Sequence, residues 1–107
     1  MAQTQQEIYR RWYAKNAKAR YARAAKRLAE KRLVLASIKL GRGCTDCGYN
    51  AYACALEFDH IKGNKRFNVG QSMCYSMSNL LSEIDKCEVV CANCHKVRTM
   101  HRRERAA

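Results

Sequence analysis

The chain has 107 residues, the length of one domain, and its 21 Lys and Arg residues outnumber 9 Asp and Glu, giving a net charge of +12. The sequence has no run of about 18 apolar residues and nothing that resembles a signal peptide, so we expect a soluble protein of the cytoplasm. A charge this large attracts polyanions. Nucleic acid fits it best, through phosphate contacts and counterion release, and an anionic membrane surface is the alternative.

The positive charge is concentrated at the N-terminal end. Residues 1–42 contain twelve Lys and Arg and two Glu, whereas residues 43–107 contain nine Lys and Arg and seven acidic residues. We therefore predict two parts, a helical DNA-binding arm over residues 1–42 (the basic arm) and a small module over residues 43–107. About 65 residues bury little apolar surface, so a metal is expected to stabilise the module.

The basic arm is predicted to be one long helix. Residues 4–39 contain no Gly or Pro and are rich in the strongest helix formers, with Thr4 as the N-cap and Gly41 and Gly43 as the end. Its last two turns are apolar and should dock on the module, while the rest projects into solvent. A solvated basic helix or a weak coiled coil is the alternative to phosphate binding. The arm residues that we expect to contact DNA are Arg11, Lys15, Arg20, Arg23 and Arg27.

The module is predicted to alternate short strands and helices. Residues 56–61 alternate apolar and polar, which is typical of a half-buried strand, and residues 67–69 are predicted to be the returning strand. A helix follows over residues 73–85, with Met77, Leu80, Leu81 and Ile84 facing inward. A brief strand over residues 88–91 then leads into a basic helix over residues 93–105. The predicted fold class is α+β.

Four of the seven cysteines form two Cys-x-x-Cys pairs, Cys44 with Cys47 and Cys91 with Cys94. This spacing favours a tetrahedral zinc site in a reducing compartment over a disulfide framework. Four thiolates saturate zinc, so the site is predicted to be structural rather than catalytic. Two redox-active thiol pairs are the alternative.

Asp59 and His60 lie between the two cysteine pairs, and His95 directly follows the second. A carboxylate oxygen and imidazole nitrogens suit a divalent cation, and imidazole has the ordinary pKa nearest neutrality. Neighbouring side chains on a strand point to opposite faces, so Asp59 and His60 can serve one centre only if the strand ends or bulges there, or if the two act from different directions.

The motifs in combination resemble the HNH endonuclease family, more narrowly the small zinc-bound HNH nucleases often encoded by phages. The resemblance covers about residues 43–99. It is carried by Cys44-x-x-Cys47, Leu56-Glu-Phe-Asp59-His60-Ile61, Gly63-x-Lys65-Arg66-Phe67-Asn-Val69 and Lys86-Cys-Glu-Val-Val-Cys91-Ala-Asn-Cys94-His95. It implies a ββα-metal (His-Me finger) module of two strands and a helix around one divalent cation.

By this resemblance, His60 is the general base, and Asp59 and His95 hold a catalytic magnesium, with manganese or a similar ion as the alternative. The family places an Asn on the strand before the last cysteine pair to orient the base, but Lys86 occupies that register here. Asn93 is the favoured substitute and Asn79 the other. The residues that we expect to bind DNA near the scissile phosphate are Lys62, Lys65, Arg66, Lys96 and Arg98. His101 is expected to be a surface residue.

The resemblance thus implies a metal-dependent DNA endonuclease that nicks DNA or cuts both strands. A non-catalytic, zinc-stabilised nucleic-acid-binding module is the competing hypothesis, since it needs the same zinc and the same basic arm. Backbone contacts position a protein without specifying sequence, so we expect little base specificity. We also expect a monomer or weak dimer, acting in a bacterial or phage-infected cell, alone or within larger phage or mobile-element machinery.

Overall fold

The structure is a computed structural model that describes residues 2–71 and 73–106. It divides into two compact units, Met1–Glu30 and Lys31–Ala107. The elements are helices α1 (Gln5–Lys15), α2 (Ala17–Arg42), α3 (Met77–Ile84) and α4 (Ala92–Ala106), and strands β1 (Leu56–His60) and β2 (Cys87–Cys91). Within these described residues, no helix is long and apolar enough to cross a membrane.

The predicted single helix of the basic arm is two helices, interrupted at Asn16. Thr4 caps α1 as expected, in a capping box with Glu7. The Asn16 side-chain amide donates to the carbonyl of Trp12 over 2.7 Å, and this local hydrogen bond competes with helix continuation. The second helix, α2, runs through Gly41 and ends at Arg42. Gly43 follows with a positive φ of 67°, a conformation that glycine adopts without strain.

The last turns of α2 pack on the rest of the second unit, as the sequence predicted. Leu35 is buried, and Ile38 packs against the same apolar cluster. This cluster also contains Phe67, Val69, Leu80, Ile84 and Cys87. The Lys31 ammonium donates to the carbonyl of Met73 over 2.9 Å, which ties α2 to the segment before α3.

Strands β1 and β2 form a two-stranded antiparallel sheet, and α4 follows β2 directly. Leu56 pairs with Cys91 at one end of the sheet, and His60 pairs with Cys87 at the other. A second apolar cluster contains Cys44 and Cys91 of the two cysteine pairs together with Leu56, Val89 and Val90. The predicted α+β class, with two strands followed by a helix, is therefore confirmed.

Other details of the predicted module are wrong. Residues 67–69 are not the returning strand, because β1 pairs with β2, and Phe67 and Val69 instead insert into the core from a loop that ends in a short 3₁₀ helix, Val69–Gln71. On α3, Leu81 is 42% exposed rather than inward, and Glu83 lies on the buried face with 1% exposure.

Candidate metal centre and active-site cleft

The four predicted zinc ligands come together. The four sulfur atoms, those of Cys44, Cys47, Cys91 and Cys94, all lie within 4.8 Å of one another. The Cys47 and Cys91 sulfurs are 3.7 Å apart. A tetrahedron with zinc–sulfur bonds of about 2.3 Å has edges of about 3.8 Å, so this separation fits zinc. The cluster joins the loop after α2 to the end of β2 and the first turn of α4.

Backbone hydrogen bonds shape each cysteine pair into a knuckle. The N–H of Cys47 donates to the Cys44 sulfur, and the N–H of Cys94 donates to the Cys91 sulfur, each over 3.4 Å. Thr45 fixes the first knuckle on the sheet by donating from both its N–H and its hydroxyl to the carbonyl of Val89.

The thiol pKa values also favour a bound cation. Burial opposes ionisation of Cys44, but backbone N–H groups of both knuckles outweigh it and lower the pKa of that thiol to about 6. The pKa of Cys94 is raised, first by its contact with the Cys91 sulfur and then by burial. One thiolate forms readily, and accumulating more negative charge in the cluster is costly. A divalent cation removes this cost, so the cluster suits structural zinc.

Asp59, His60 and His95 line one cleft of about 510 Å³ at the end of β1. The cleft is possible because β1 ends at His60, which lets the two neighbouring side chains border the same space from different directions. Asp59 faces α4, where its Oδ1 lies 3.5 Å from Nε2 of His95. His60 faces α3, where its Nε2 lies 2.9 Å from the Glu83 carboxylate.

His95 is oriented by a residue that sequence reasoning missed. Its Nδ1 lies 2.6 Å from Oε1 of Glu57, so in the neutral ring with its proton on Nδ1 the Nε2 lone pair is directed towards Asp59. A carboxylate behind the ligating imidazole is the usual arrangement around metal-bound histidine. One cation about 2.1 Å from each atom can span Asp59 Oδ1 and His95 Nε2, so this donor pair fits a divalent cation.

Two arginines of α4 already neutralise the buried Asp59 carboxylate. Arg102 makes a bidentate pair with it, over 2.9 and 2.7 Å, and Arg98 adds a third hydrogen bond of 2.9 Å. Burial raises the pKa of Asp59, but the two guanidinium groups outweigh it and hold that pKa below its usual range. A cation at Oδ1 therefore has to share this oxygen with Arg102 or displace it.

The predicted DNA-contacting residues of the module fall into different places. Lys65 lines the cleft, together with Lys39 and Arg102, which the sequence analysis did not single out. Arg98 is instead engaged by three carboxylates, since it also pairs with Asp46 and Glu88, and it links the first knuckle to both strands. The remaining predicted residues are exposed and do not line the cleft: Lys62, Arg66 and Lys96.

The structure does not bring Asn93 to His60. Asn93 is exposed on the first turn of α4 and borders a groove beside Cys47 and Tyr49, on the zinc-cluster side of the sheet. Asn79, in the first turn of α3, donates its N–H to the Ser76 hydroxyl. Glu83 contacts the His60 ring, with its Oε2 2.9 Å from Nε2. Its signal in the sequence is an acidic residue between Leu80 and Ile84, on what is otherwise the apolar face of α3.

The predicted DNA-contacting residues of the arm lie in the first unit, on α1 and on the first part of α2. Arg11, Lys15, Arg23 and Arg27 are exposed. Arg20 differs, because its guanidinium lies 3.2 Å from the ring centre of Tyr13 and donates to the Tyr13 carbonyl. Tyr9 stacks on Tyr13 at a centroid distance of 5.6 Å.

Comparisons with models of known protein families, with curated proteins and with solved structures each find no match. The fold and the cysteine cluster therefore define the class directly, a small α+β protein with a four-cysteine site suited to structural zinc.

Proposed function

We propose that the chain is a divalent-metal-dependent DNA endonuclease of the HNH type. The observation that carries the proposal is the cleft in which Asp59 and His95 present an oxygen and a nitrogen 3.5 Å apart, with His60 beside them. Lys39 and Lys65 border the same cleft and would supply positive charge for a phosphate.

In this proposal, Asp59 and His95 hold the cation. Bound there, it would stabilise the negative charge that develops on the phosphate and on the leaving 3′ oxygen. His60 accepts a proton from the attacking water as the water oxygen bonds to phosphorus. The bond between phosphorus and the 3′ oxygen breaks, and this oxygen takes up a proton from solvent, leaving a 5′ phosphate and a 3′ hydroxyl.

A non-catalytic nucleic-acid-binding module is the second candidate, and one observation favours it. The Asp59 carboxylate is already bonded by Arg98 and Arg102, so it has a structural role without any cation. In that case Asp59 and His95 would only tie β1 to α4, and the basic surfaces would bind nucleic acid without cutting it.

Asp59→Asn separates the two candidates. On a labelled DNA duplex with magnesium, the zinc-loaded variant is expected to nick at least about 100-fold more slowly than wild type, because the amide is a poor cation ligand. Asp85→Asn makes the same chemical change at an exposed residue at the end of α3 and should nick at the wild-type rate. Equal rates for Asp59→Asn and wild type, at every magnesium concentration, would contradict a cation site at Asp59.

The basic arm is proposed to bind the DNA backbone. Replacing Arg11, Lys15, Arg23 and Arg27 together by Gln should weaken DNA binding about 10- to 100-fold near 0.1 M salt and lower the salt slope of log affinity by about 3. The rate of nicking at saturating DNA should stay unchanged, since the cleft is in the other unit. Affinity and salt slope are measured by fluorescence anisotropy, and an unchanged slope would remove the arm from the interface.

A further inference from the structure

Glu83 is a buried acid whose carboxylate is fully engaged. The residue is 1% exposed, and its Oε2 accepts from the Arg66 N–H and contacts His60 Nε2, each over 2.9 Å. Its Oε1 accepts from the Lys86 ammonium, also over 2.9 Å. A buried charge is costly unless it is paired, so this set of contacts is specific rather than incidental.

The carboxylate determines which nitrogen of His60 carries the proton. Burial raises the pKa of Glu83, but the Arg66 N–H, the Lys86 ammonium and the His60 ring outweigh it and hold that pKa at about 2. An ionised carboxylate only accepts hydrogen bonds, so Nε2 of His60 must be the donor. In the neutral imidazole, the lone pair that can accept a proton is then on Nδ1.

Lys86 also helps to hold the backbone next to His60. Its carbonyl accepts a hydrogen bond of 2.8 Å from the N–H of Ile61, the residue after His60, and this bond extends the strand pairing past the end of β1. Its ammonium bridges Glu83 to the carbonyl of Asn64. The loop that follows His60 is therefore held at Ile61 and at Asn64.

We propose that Glu83 is the positioning residue of the site, holding His60 as the Nε2–H tautomer so that Nδ1 is the base. The inference rests on the proposed endonuclease function, because positioning has a catalytic consequence only if His60 takes a proton. Lys86 supports the carboxylate by neutralising its second oxygen.

The test compares Glu83→Ala and Glu83→Gln with wild type, each loaded with zinc. Glu83→Ala should lower kcat for nicking about 10- to 100-fold while KM and DNA affinity stay unchanged, because orientation is lost and binding is not. Glu83→Gln keeps an acceptor oxygen and should recover part of that loss. Glu104→Gln, an exposed acid on α4, is the control and should leave kcat unchanged.

Imidazole ¹⁵N NMR at alkaline pH provides a readout that a merely structural role would not move. Wild type should show His60 as the Nε2–H tautomer, and Glu83→Ala should show a mixture of both tautomers. A wild type that nicks with His60 as the Nδ1–H tautomer, or Glu83 variants that nick at the wild-type kcat, would overturn the inference alone. A wild type that never nicks would overturn the proposed function, and the positioning role with it.

Discussion

His60→Ala is expected to abolish nicking while DNA binding persists. General-base catalysis contributes about 10²- to 10⁴-fold, so the rate at saturating DNA should fall by at least about 100-fold. The ring contacts Glu83, and this carboxylate keeps its bonds to the Arg66 N–H and to Lys86 when the ring is removed. The variant is therefore expected to fold and to retain zinc.

Two further variants make the result specific. His60→Gln can still donate a hydrogen bond towards Glu83 but cannot accept a proton at neutral pH, so it should be as inactive as His60→Ala. His101→Ala removes an exposed histidine of α4 and should nick at the wild-type rate. An active His60→Gln protein would show that His60 does not act as a base.

Cys91→Ser is expected to unfold the second unit. Cys91 is buried at the end of β2, and its sulfur contacts Cys47 and accepts the N–H of Cys94. Zinc binding contributes about 10–16 kcal/mol in zinc-finger peptides, as much as the whole stability of a typical domain. The variant should lose stoichiometric zinc and the dispersed amide signals of its second unit in ¹H–¹⁵N NMR spectra.

The control for this change is Cys54→Ser, at an exposed cysteine outside the cluster. It should retain one zinc per chain and a wild-type spectrum. Helical circular dichroism alone is a less specific measure, because α1 and the first part of α2 lie in the first unit and keep their helix signal. A Cys91→Ser protein with wild-type dispersion and no zinc would show that the apolar clusters suffice to fold this unit.

The four-cysteine cluster and most of the helices and strands could be predicted because their signals are local. A Cys-x-x-Cys spacing forms a knuckle by hydrogen bonds between residues three apart, as at Cys44 and Cys47. The strand and helix patterns are local as well. They depend on residues two positions apart, as at Leu56 and Phe58, or four positions apart, as at Leu80 and Ile84. The docking of α2 through Leu35 followed from an apolar turn next to the module.

The pairing of strands could not be predicted from alternation. Phe67 and Val69 are both buried with Asn68 exposed between them, which is the burial pattern of a strand. A loop that inserts two side chains into the core produces the same pattern. The pairing of β1 with β2 depends on contacts between residues far apart in sequence. Hydrophobic periodicity carries no information about such contacts.

The carboxylates and arginines around the cleft were hidden for the same reason. Glutamate is common on protein surfaces, so nothing in the sequence marks Glu57 and Glu83 as site residues. Only the fold brings them to His95 and His60. Arg98 was expected to contact DNA because of its charge, yet the fold surrounds it with Asp46, Asp59 and Glu88. The sign of a charge is visible in a sequence, but its partner is not.

Cleavage of supercoiled plasmid is the most direct test of the proposed endonuclease, with zinc-loaded wild type and His60→Ala each assayed with EDTA and with magnesium or manganese. Wild type is expected to convert supercoiled plasmid to the nicked circle only with the added cation, and His60→Ala is expected to bind the plasmid without nicking it. Binding by both proteins with no cleavage under any of these conditions would contradict the endonuclease and leave a zinc-stabilised nucleic-acid-binding module.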